Sequence, residues 1–215
     1  VRQLFNEMGF HGSTLDFHHR SNSYMNEVID DREGLPITLS VLFMELAKRL
    51  ELKVAGLGLP GHFLAIYQST DISKDESNSL ESKISETEII IDSFGGKIID
   101  REQAAQLTGL ALEDLTFEPS SKKEIIKRML RNLLQVAERE KDSNSQIRYL
   151  DAILAISPED RYLRAQRAMT HYIIEDFEKA LKDIDFLLES DPKSPENEPL
   201  RVIRNRLINQ GAASF

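Results

Sequence analysis

The residues that could do chemistry stand on two strand-like runs in the first half of the chain. Gly61–Tyr67 reads GHFLAIY and carries His62, and Glu88–Phe94 reads EIIIDSF and carries Asp92. Because neighbouring strands lie about 4.8 Å apart, a His and an Asp on the same face of adjacent strands can meet. We expect Asp92 to accept a hydrogen bond of about 2.6–3.2 Å from one ring nitrogen of His62, which would fix the imidazole tautomer.

A buried helix must precede these strands. Gly34–Leu50 reads GLPITLSVLFMELAKRL, and its apolar residues follow steps of three and four, which gives the helix one apolar face. Pro36 suits the first helical turn because its missing N–H would have no partner there. The positive end of the helix dipole therefore lies at Pro36–Thr38. We expect the second ring nitrogen of His62 to face this helix start.

A helix start followed by a His strand and an Asp strand resembles the transglutaminase-like branch of the papain-like fold. The chain resembles the SirB family more closely, in which tetratricopeptide-type helices follow a transglutaminase-like domain. The matching segments are Asn22–Leu50, Gly56–Tyr67 and Ile89–Asp100. In active transglutaminase-like enzymes a Cys at the helix start attacks an acyl group, a His takes its proton and an Asp orients the His. The resemblance implies that His62 is the base and Asp92 the orienting residue.

The nucleophile of that arrangement is absent from this sequence. The matching position falls at or beside Pro36, and the chain contains no Cys. Thr38 and Ser40 lie nearby, but a shift of one residue rotates a helical side chain by about 100°, so neither is an obvious replacement. We therefore favour a non-catalytic protein, a pseudoenzyme whose His62–Asp92 pair is a relic of the fold or serves binding.

Two alternatives remain for the pair. In the first, the protein is a hydrolase or acyl transferase that uses His62–Asp92 to activate water or a hydroxyl. In the second, the two residues are structural and lie apart: His62 is a core histidine, and Asp92 caps the turn Ser93–Gly96 at the end of its strand. A solvent-open cleft at His62 would favour catalysis, and a sealed ring would favour the non-catalytic interpretation.

Asn22 and Ser23 stand just before a short predicted helix. We favour a helix N-cap, in which a polar side chain satisfies the first N–H groups and contributes about 1 kcal/mol. The resemblance includes this Asn-Ser pair, which supports the alternative that both side chains line a binding cleft. Pro36 and Thr38, at the start of the main helix, are the other candidates for lining that cleft.

Composition excludes several classes of function. The 215 residues carry a formal net charge of -9, which argues against a nucleic-acid partner because such a surface needs clustered Lys and Arg. No apolar run approaches the roughly 18 residues of a membrane helix. The absence of Cys excludes disulfides and thiolate metal sites. We expect a cytoplasmic protein, or one of another reducing or stromal compartment if a targeting segment was removed before Val1.

A metal site is not predicted. His11, His18 and His19 invite such an interpretation, because imidazole is the commonest metal-ligating side chain in proteins. Adjacent histidines in an extended loop point apart, however, and no well-spaced carboxylate joins them. No cofactor is expected either.

From Ser120 onward the apolar periodicity is helical throughout. Ser120 or Ser121, together with Glu124, forms a capping box for a long helix that runs to about Lys141. The apolar positions of this helix are Ile125, Ile126, Met129, Leu130, Leu133, Leu134 and Ala137.

Residues 34 positions apart match in type, and 34 is the period of tetratricopeptide repeats. The matching pairs are Leu150 with Ile184, Ile153 with Leu187, Leu154 with Leu188, and Pro158 with Pro192. Arg161–Pro192 fits this repeat best, with the small residues Ala168 and Ala180 where paired helices approach closely. Pro195–Gln210 is expected to be a capping helix. The stripes are interpreted as core, with a peptide groove as the alternative.

Together these patterns predict an α+β protein of two domains. Residues 1–116 form a papain/transglutaminase-like domain of helices packed on a small antiparallel sheet, and residues 117–215 form an all-α, tetratricopeptide-like module. Ser69–Thr87 is polar and is expected as an excursion between two strands. Two repeats leave an apolar face uncovered, so we expect the module to pack on the first domain. The predicted function is a protein-interaction or regulatory module with a protein or peptide partner.

Overall fold

The computed structural model describes residues 1–71 and 85–212. Contacts divide the chain into two compact units, Val1–Met129 and Leu130–Phe215. This division falls inside a helix, Lys122–Arg139, whereas the sequence placed the boundary between residues 116 and 117. The predicted α+β class is confirmed, because the first unit holds a small antiparallel sheet and helices follow it. None of the helices described is long and apolar enough to cross a membrane.

A four-stranded antiparallel sheet, in the order β3-β4-β5-β6, forms the centre of the first unit. Its strands are β3 (Val54–Leu59), β4 (His62–Asp71), β5 (Ser85–Asp92) and β6 (Lys97–Ile99). A separate parallel pair joins β1 (His11–Gly12) to β2 (Glu33–Gly34). The helices of this unit are α1 (Met25–Asp31), α2 (Pro36–Arg49), α3 (Arg101–Thr108) and the first part of α4 (Lys122–Arg139), with short helical segments at Gln3–Glu7, Arg20–Ser23 and Leu112–Asp114.

The two faces of the sheet bury different helices. On one face, Leu39 and Leu42 of α2 pack with Ala65 and Ile91 of the central strands. On the other face, alternate residues of the same strands pack with Ala104 of α3. Each large aliphatic side chain that is fully buried in this way contributes about 1.5–3 kcal/mol relative to exposure. The apolar face predicted for the main helix is therefore confirmed at Leu39 and Leu42, and the helix begins at Pro36 as expected. Leu50, predicted to belong to that face, follows the end of the helix and is 72% exposed.

Strands β4 and β5 extend further than their apolar runs. Ser69 pairs with Thr87, and Asp71 pairs with Ser85. The ends of the polar stretch predicted as an excursion therefore belong to the sheet, since ladder hydrogen bonds use backbone groups and need no apolar side chain. The remainder of that stretch, residues 72–84, lies outside the described residues.

Gly56 of β3 makes room for an aromatic ring. A Cβ at Gly56 would lie 2.5 Å from Cζ of Phe63, whereas one at Gly58 would lie 3.0 Å from the Ser120 hydroxyl. Because Gly56 has no side chain, the Phe63 ring can lie over β3. The ring belongs to a buried cluster with Leu35, Ile37 and Ile125.

The second unit is wholly helical in the part that the structure describes. It contains the end of α4, then α5 (Ser143–Ile156), α6 (Arg161–Ile173), α7 (Phe177–Ser190) and α8 (Glu198–Ala212), with a short helical segment at Pro195–Asn197. Asp142, Asp160 and Asp176 precede α5, α6 and α7, and each side chain accepts a hydrogen bond from the helix it caps. The same device therefore begins three successive helices.

Helices α6 and α7 meet through small residues, as the sequence indicated. Ala168 and Ala180 are fully buried and pack with Ile184 and Leu207. The capping box predicted for α4 is also present, because the Ser121 N–H donates to Glu124 at 2.6 Å and the Glu124 N–H donates back at 3.3 Å. The assignment of these helices to the tetratricopeptide class stays a prediction.

An ionic cluster ties α5, α6 and α7 together. The buried carboxylate of Asp183 accepts hydrogen bonds from Arg164 at 3.1 Å and from Arg167 at 2.7 and 2.8 Å. Arg167 also donates to Asp151 at 2.6 Å. These bonds raise the pKa of Arg167 and keep its guanidinium charged in a largely buried place. Removing one member leaves buried charges without compensation.

We predict that Asp183→Ala lowers the free energy of unfolding by about 3–5 kcal/mol, because Arg164 and Arg167 lose their buried partner. Asp185→Ala is the matched control: Asp185 binds Arg204 at 2.5 Å, but both side chains are well exposed, so the expected loss is about 1 kcal/mol or less. Urea denaturation followed by circular dichroism measures both. Equal losses in the two variants would contradict a structural role for the cluster.

A second prediction concerns pH. Burial lowers the pKa of His171 below its ordinary value of 6.5 and outweighs the attraction of Asp176, whose carboxylate lies 3.4 Å from Nδ1. Below pH 6.5 the unfolded chain therefore binds a proton that the folded chain resists, and the free energy of unfolding falls as the pH falls. His171→Gln should flatten the stability profile between neutral and mildly acidic pH. His18→Gln, at an exposed histidine, should retain the wild-type slope; a flattened profile there would show that the effect is not specific to His171.

Candidate functional site

The orientation of His62 follows from the β3–β4 hairpin. Leu59 pairs with His62, so both project from the same face of the sheet. Leu59 packs with Leu64 on the face that covers α3. The next residue, Phe63, packs with Leu35 and Ile37 at the start of α2. Strand alternation thus directs Phe63 to the helix start, and the predicted orientation of His62 toward that start is wrong.

Asp92 ends β5 and caps the turn that follows. Its Oδ1 accepts the N–H of Phe94 at 3.1 Å and the N–H of Gly95 at 3.0 Å. The side chain is buried, so these two bonds replace water around the carboxylate. The structural alternative given for Asp92, a cap of the turn Ser93–Gly96, is therefore confirmed.

The predicted hydrogen bond between Asp92 and His62 is absent: in the described part of the chain, neither a hydrogen bond nor an ion pair joins the two side chains. Register explains the separation. Ala65 pairs with Ile91, and one further step places Asp92 opposite Leu64, diagonal to His62. Such diagonal neighbours lie about 7–8 Å apart, and the Asp92 carboxylate is already occupied by the turn.

Thr38 and Asn22 form hydrogen bonds at the start of α2. The Thr38 Oγ1 accepts the N–H of Leu35 at 2.9 Å and lies 2.9 Å from the carbonyl oxygen of Asn22, to which its hydroxyl can donate. The Asn22 amide donates to the carbonyl of Asp16 at 2.7 Å. The predicted N-cap role of Asn22 and Ser23 is wrong, because Tyr24 is the N-cap residue of α1 and no side chain caps it. Asn22 instead ties its loop to α2.

The first unit also buries polar side chains in the part of the chain that the structure describes. They are Ser13, Asn22, Ser23, Thr38, Ser40, Asp92 and Ser93. The Ser13 N–H donates to the carbonyl of Gly34 at 3.0 Å, and a Cβ at Gly12 would fall on the Phe94 ring. The segment that follows β1 is thus joined to the segment that leads into α2.

Most of the proposed cleft-lining side chains are buried. Thr38 is 0% exposed, Asn22 5% and Ser23 4%, whereas Pro36 is half-buried. The hydroxyl oxygens of Ser23 and Ser93 have no partner among the described residues. The sequence did not predict that Ser93, in the turn that follows β5, would be fully buried.

The histidines considered as metal ligands make local contacts instead. His19 Nδ1 lies 2.6 Å from the Ser21 hydroxyl, and the His18 ring meets the edge of Phe17. Within residues 1–71 and 85–212, three or more His, Asp or Glu side chains never converge in a way that could hold a metal ion.

Comparison with known proteins agrees with this architecture. The family model described as "Transglutaminase-like superfamily" matches residues 1–131. The chain belongs to the transglutaminase-like superfamily.

Among curated proteins, the chain is similar to a protein named UPF0162 protein from Xylella fastidiosa, with 27% identity over 97% of this chain and 71% of that protein. It is also similar to Protein SirB1 of Salmonella typhimurium, with 22% identity over 96% of this chain and 74% of that protein. The SirB resemblance is thereby confirmed. F-box only protein 21 of Homo sapiens is 28% identical over 79% of this chain, which corresponds to 26% of that protein. No solved structure matches.

We predict that Asp92→Ala lowers the free energy of unfolding by about 1–3 kcal/mol, because two buried N–H groups lose their acceptor. Asp92→Asn retains an Oδ1 acceptor and should cost less than half as much. Thermal and urea denaturation of the two variants measure the difference. If Asn were as damaging as Ala, the charge of Asp92, and not its turn-capping oxygen, would be what the structure needs.

Proposed function

We propose that the chain is a non-catalytic transglutaminase-like protein that acts as a protein-interaction or regulatory module, with helix α6 as the surface that binds a protein or peptide. The observation that supports this binding surface most directly is a row of exposed apolar side chains on α6. Tyr162 is 77% exposed, Met169 37% and Ile173 68%. Their spacing of seven and four residues places them on one face of the helix.

The proposal that the protein is non-catalytic rests on the groups at the start of α2. The sequence supplies no thiol, and the position that matches the nucleophile of active transglutaminase-like enzymes falls at or beside Pro36. The nearest hydroxyl, on Thr38, is fully buried and bound to backbone groups. The Asp92 carboxylate accepts two turn N–H groups. A hydrolase or acyl transferase would therefore have to work with His62 unassisted by Asp92.

A groove beside the α6 row suits a peptide. It has a volume of about 390 Å³ and lies between α4 and α6, where Tyr162 and Leu163 meet polar side chains. Arg131 lies 4.0 Å from Asp160, and Gln166 donates to Glu138, so charged and amide groups line its walls. Peptide-binding surfaces combine apolar anchors with a few polar groups that fix the chain direction.

Selection of peptides from a displayed library against the full chain tests the binding surface. The enriched peptides should lose at least about tenfold in affinity for the double variant Tyr162→Ala, Ile173→Ala, because each anchor of this kind contributes over about 1 kcal/mol. Ile98→Ala is the matched control, at a residue 59% exposed in the first unit, and should bind unchanged. Affinity unaffected by the double variant, or lost equally in the control, would contradict the assignment to α6.

The same preparation should show no amine incorporation into a glutamine substrate and no cleavage of casein. Any turnover that His62→Ala abolishes would contradict the non-catalytic proposal and restore the alternative of a hydrolase or acyl transferase.

A further inference from the structure

Arg128 is a half-buried cation at the end of the β3–β4 hairpin. Its Nη1 donates to the carbonyl of Leu59 at 3.2 Å, and its guanidinium carbon lies 5.5 Å from the centre of the Phe63 ring. Burial lowers the pKa of Arg128, because the charged form is partly removed from water. A guanidinium in such a place is ordinarily compensated by a carboxylate.

No carboxylate bonds to Arg128 within the described part of the chain, and its Nε and Nη2 groups have no hydrogen-bond partner there. Two other arginines that are largely buried differ, because Arg164 and Arg167 both bind Asp183. The contrast is marked in a chain whose net charge is -9, since carboxylates are abundant. The free side of the Arg128 fork is therefore available to an external anion.

A second donor, the Ser120 hydroxyl, lies near the Nη1 end of the Arg128 guanidinium. The Ser120 Oγ accepts the N–H of Gly58 at 3.1 Å, which leaves its own hydroxyl proton free to donate. The point where a side chain at Gly58 would begin lies 3.0 Å from that Oγ and 3.5 Å from Nη1 of Arg128. Gly58 is exposed. The Ser120 hydroxyl and the Nη1 end of Arg128 thus lie side by side next to an exposed stretch of backbone.

We infer that Arg128 and Ser120, above Gly58, form a binding site for the carboxylate group of a ligand. The planar fork of a guanidinium matches the two oxygens of a carboxylate, and the hydroxyl can donate to one of them. One cation balances a single negative charge, whereas a phosphate dianion would bring a second charge to an already acidic protein. The site lies in the first unit and is independent of the surface proposed on α6.

Nuclear magnetic resonance of the full chain tests the site, with sodium acetate as the probe and sodium phosphate and sodium chloride at equal ionic strength as comparisons. The Nε–H resonance of Arg128, assigned by its loss in Arg128→Met, should shift saturably with acetate only. In Arg128→Lys, which keeps the charge but lacks the fork, the midpoint followed at the Gly58 amide should rise at least about tenfold. Arg139→Met, on the same helix, is the control and should keep the wild-type midpoint.

Thermal denaturation followed by circular dichroism establishes that the variants are folded. If Arg128→Met does not fold, the site is tested with Arg128→Lys alone. The absence of a saturable shift, an equal shift with chloride, or an unchanged midpoint in Arg128→Lys would each overturn the site. Saturation by phosphate but not by acetate would overturn its assignment to a carboxylate.

Discussion

Burial of the start of α2 is the constraint on which the rest of the first unit depends. A helix start carries backbone N–H groups, and leaving one buried without an acceptor costs about 1–3 kcal/mol. Here Thr38 and the carbonyl of Asn22 meet the N–H of Leu35, so the loop before α1 has to fold together with α2. The Thr38 hydroxyl and the Asn22 carbonyl thus hold backbone segments together.

Strand alternation then decides what reaches that helix start. With β4 in its observed register, odd-numbered residues such as Phe63 and Ala65 face α2, and His62 projects from the other face. The order of motifs along the chain therefore does not by itself fix the face of the sheet from which a side chain projects. Asp92 is a second example, because its carboxylate accepts the N–H groups of Phe94 and Gly95 in the turn that follows β5.

The sequence correctly predicted the features that depend on residues close together in the chain. The start of α2 at Pro36 and the capping box of Ser121 and Glu124 depend on neighbours within one turn, and both are present. The failures concern partners distant in the chain. Asn22 looked like a helix cap but binds the Asp16 carbonyl, and polar Ser69 joined β4 because Thr87 offered backbone groups for pairing. Side-chain type alone does not disclose such partners.

Gly56 of β3 limits the substitutions that this chain can accept. Exchanging one hydrogen for a methyl group at Gly56 would push against the Phe63 ring, which touches Leu35 and Ile37. The disturbance would pass from an edge strand to the helix start without altering any polar residue. A position that carries no functional group thus tolerates substitution poorly, and natural variation at residue 56 should be narrower than at His62.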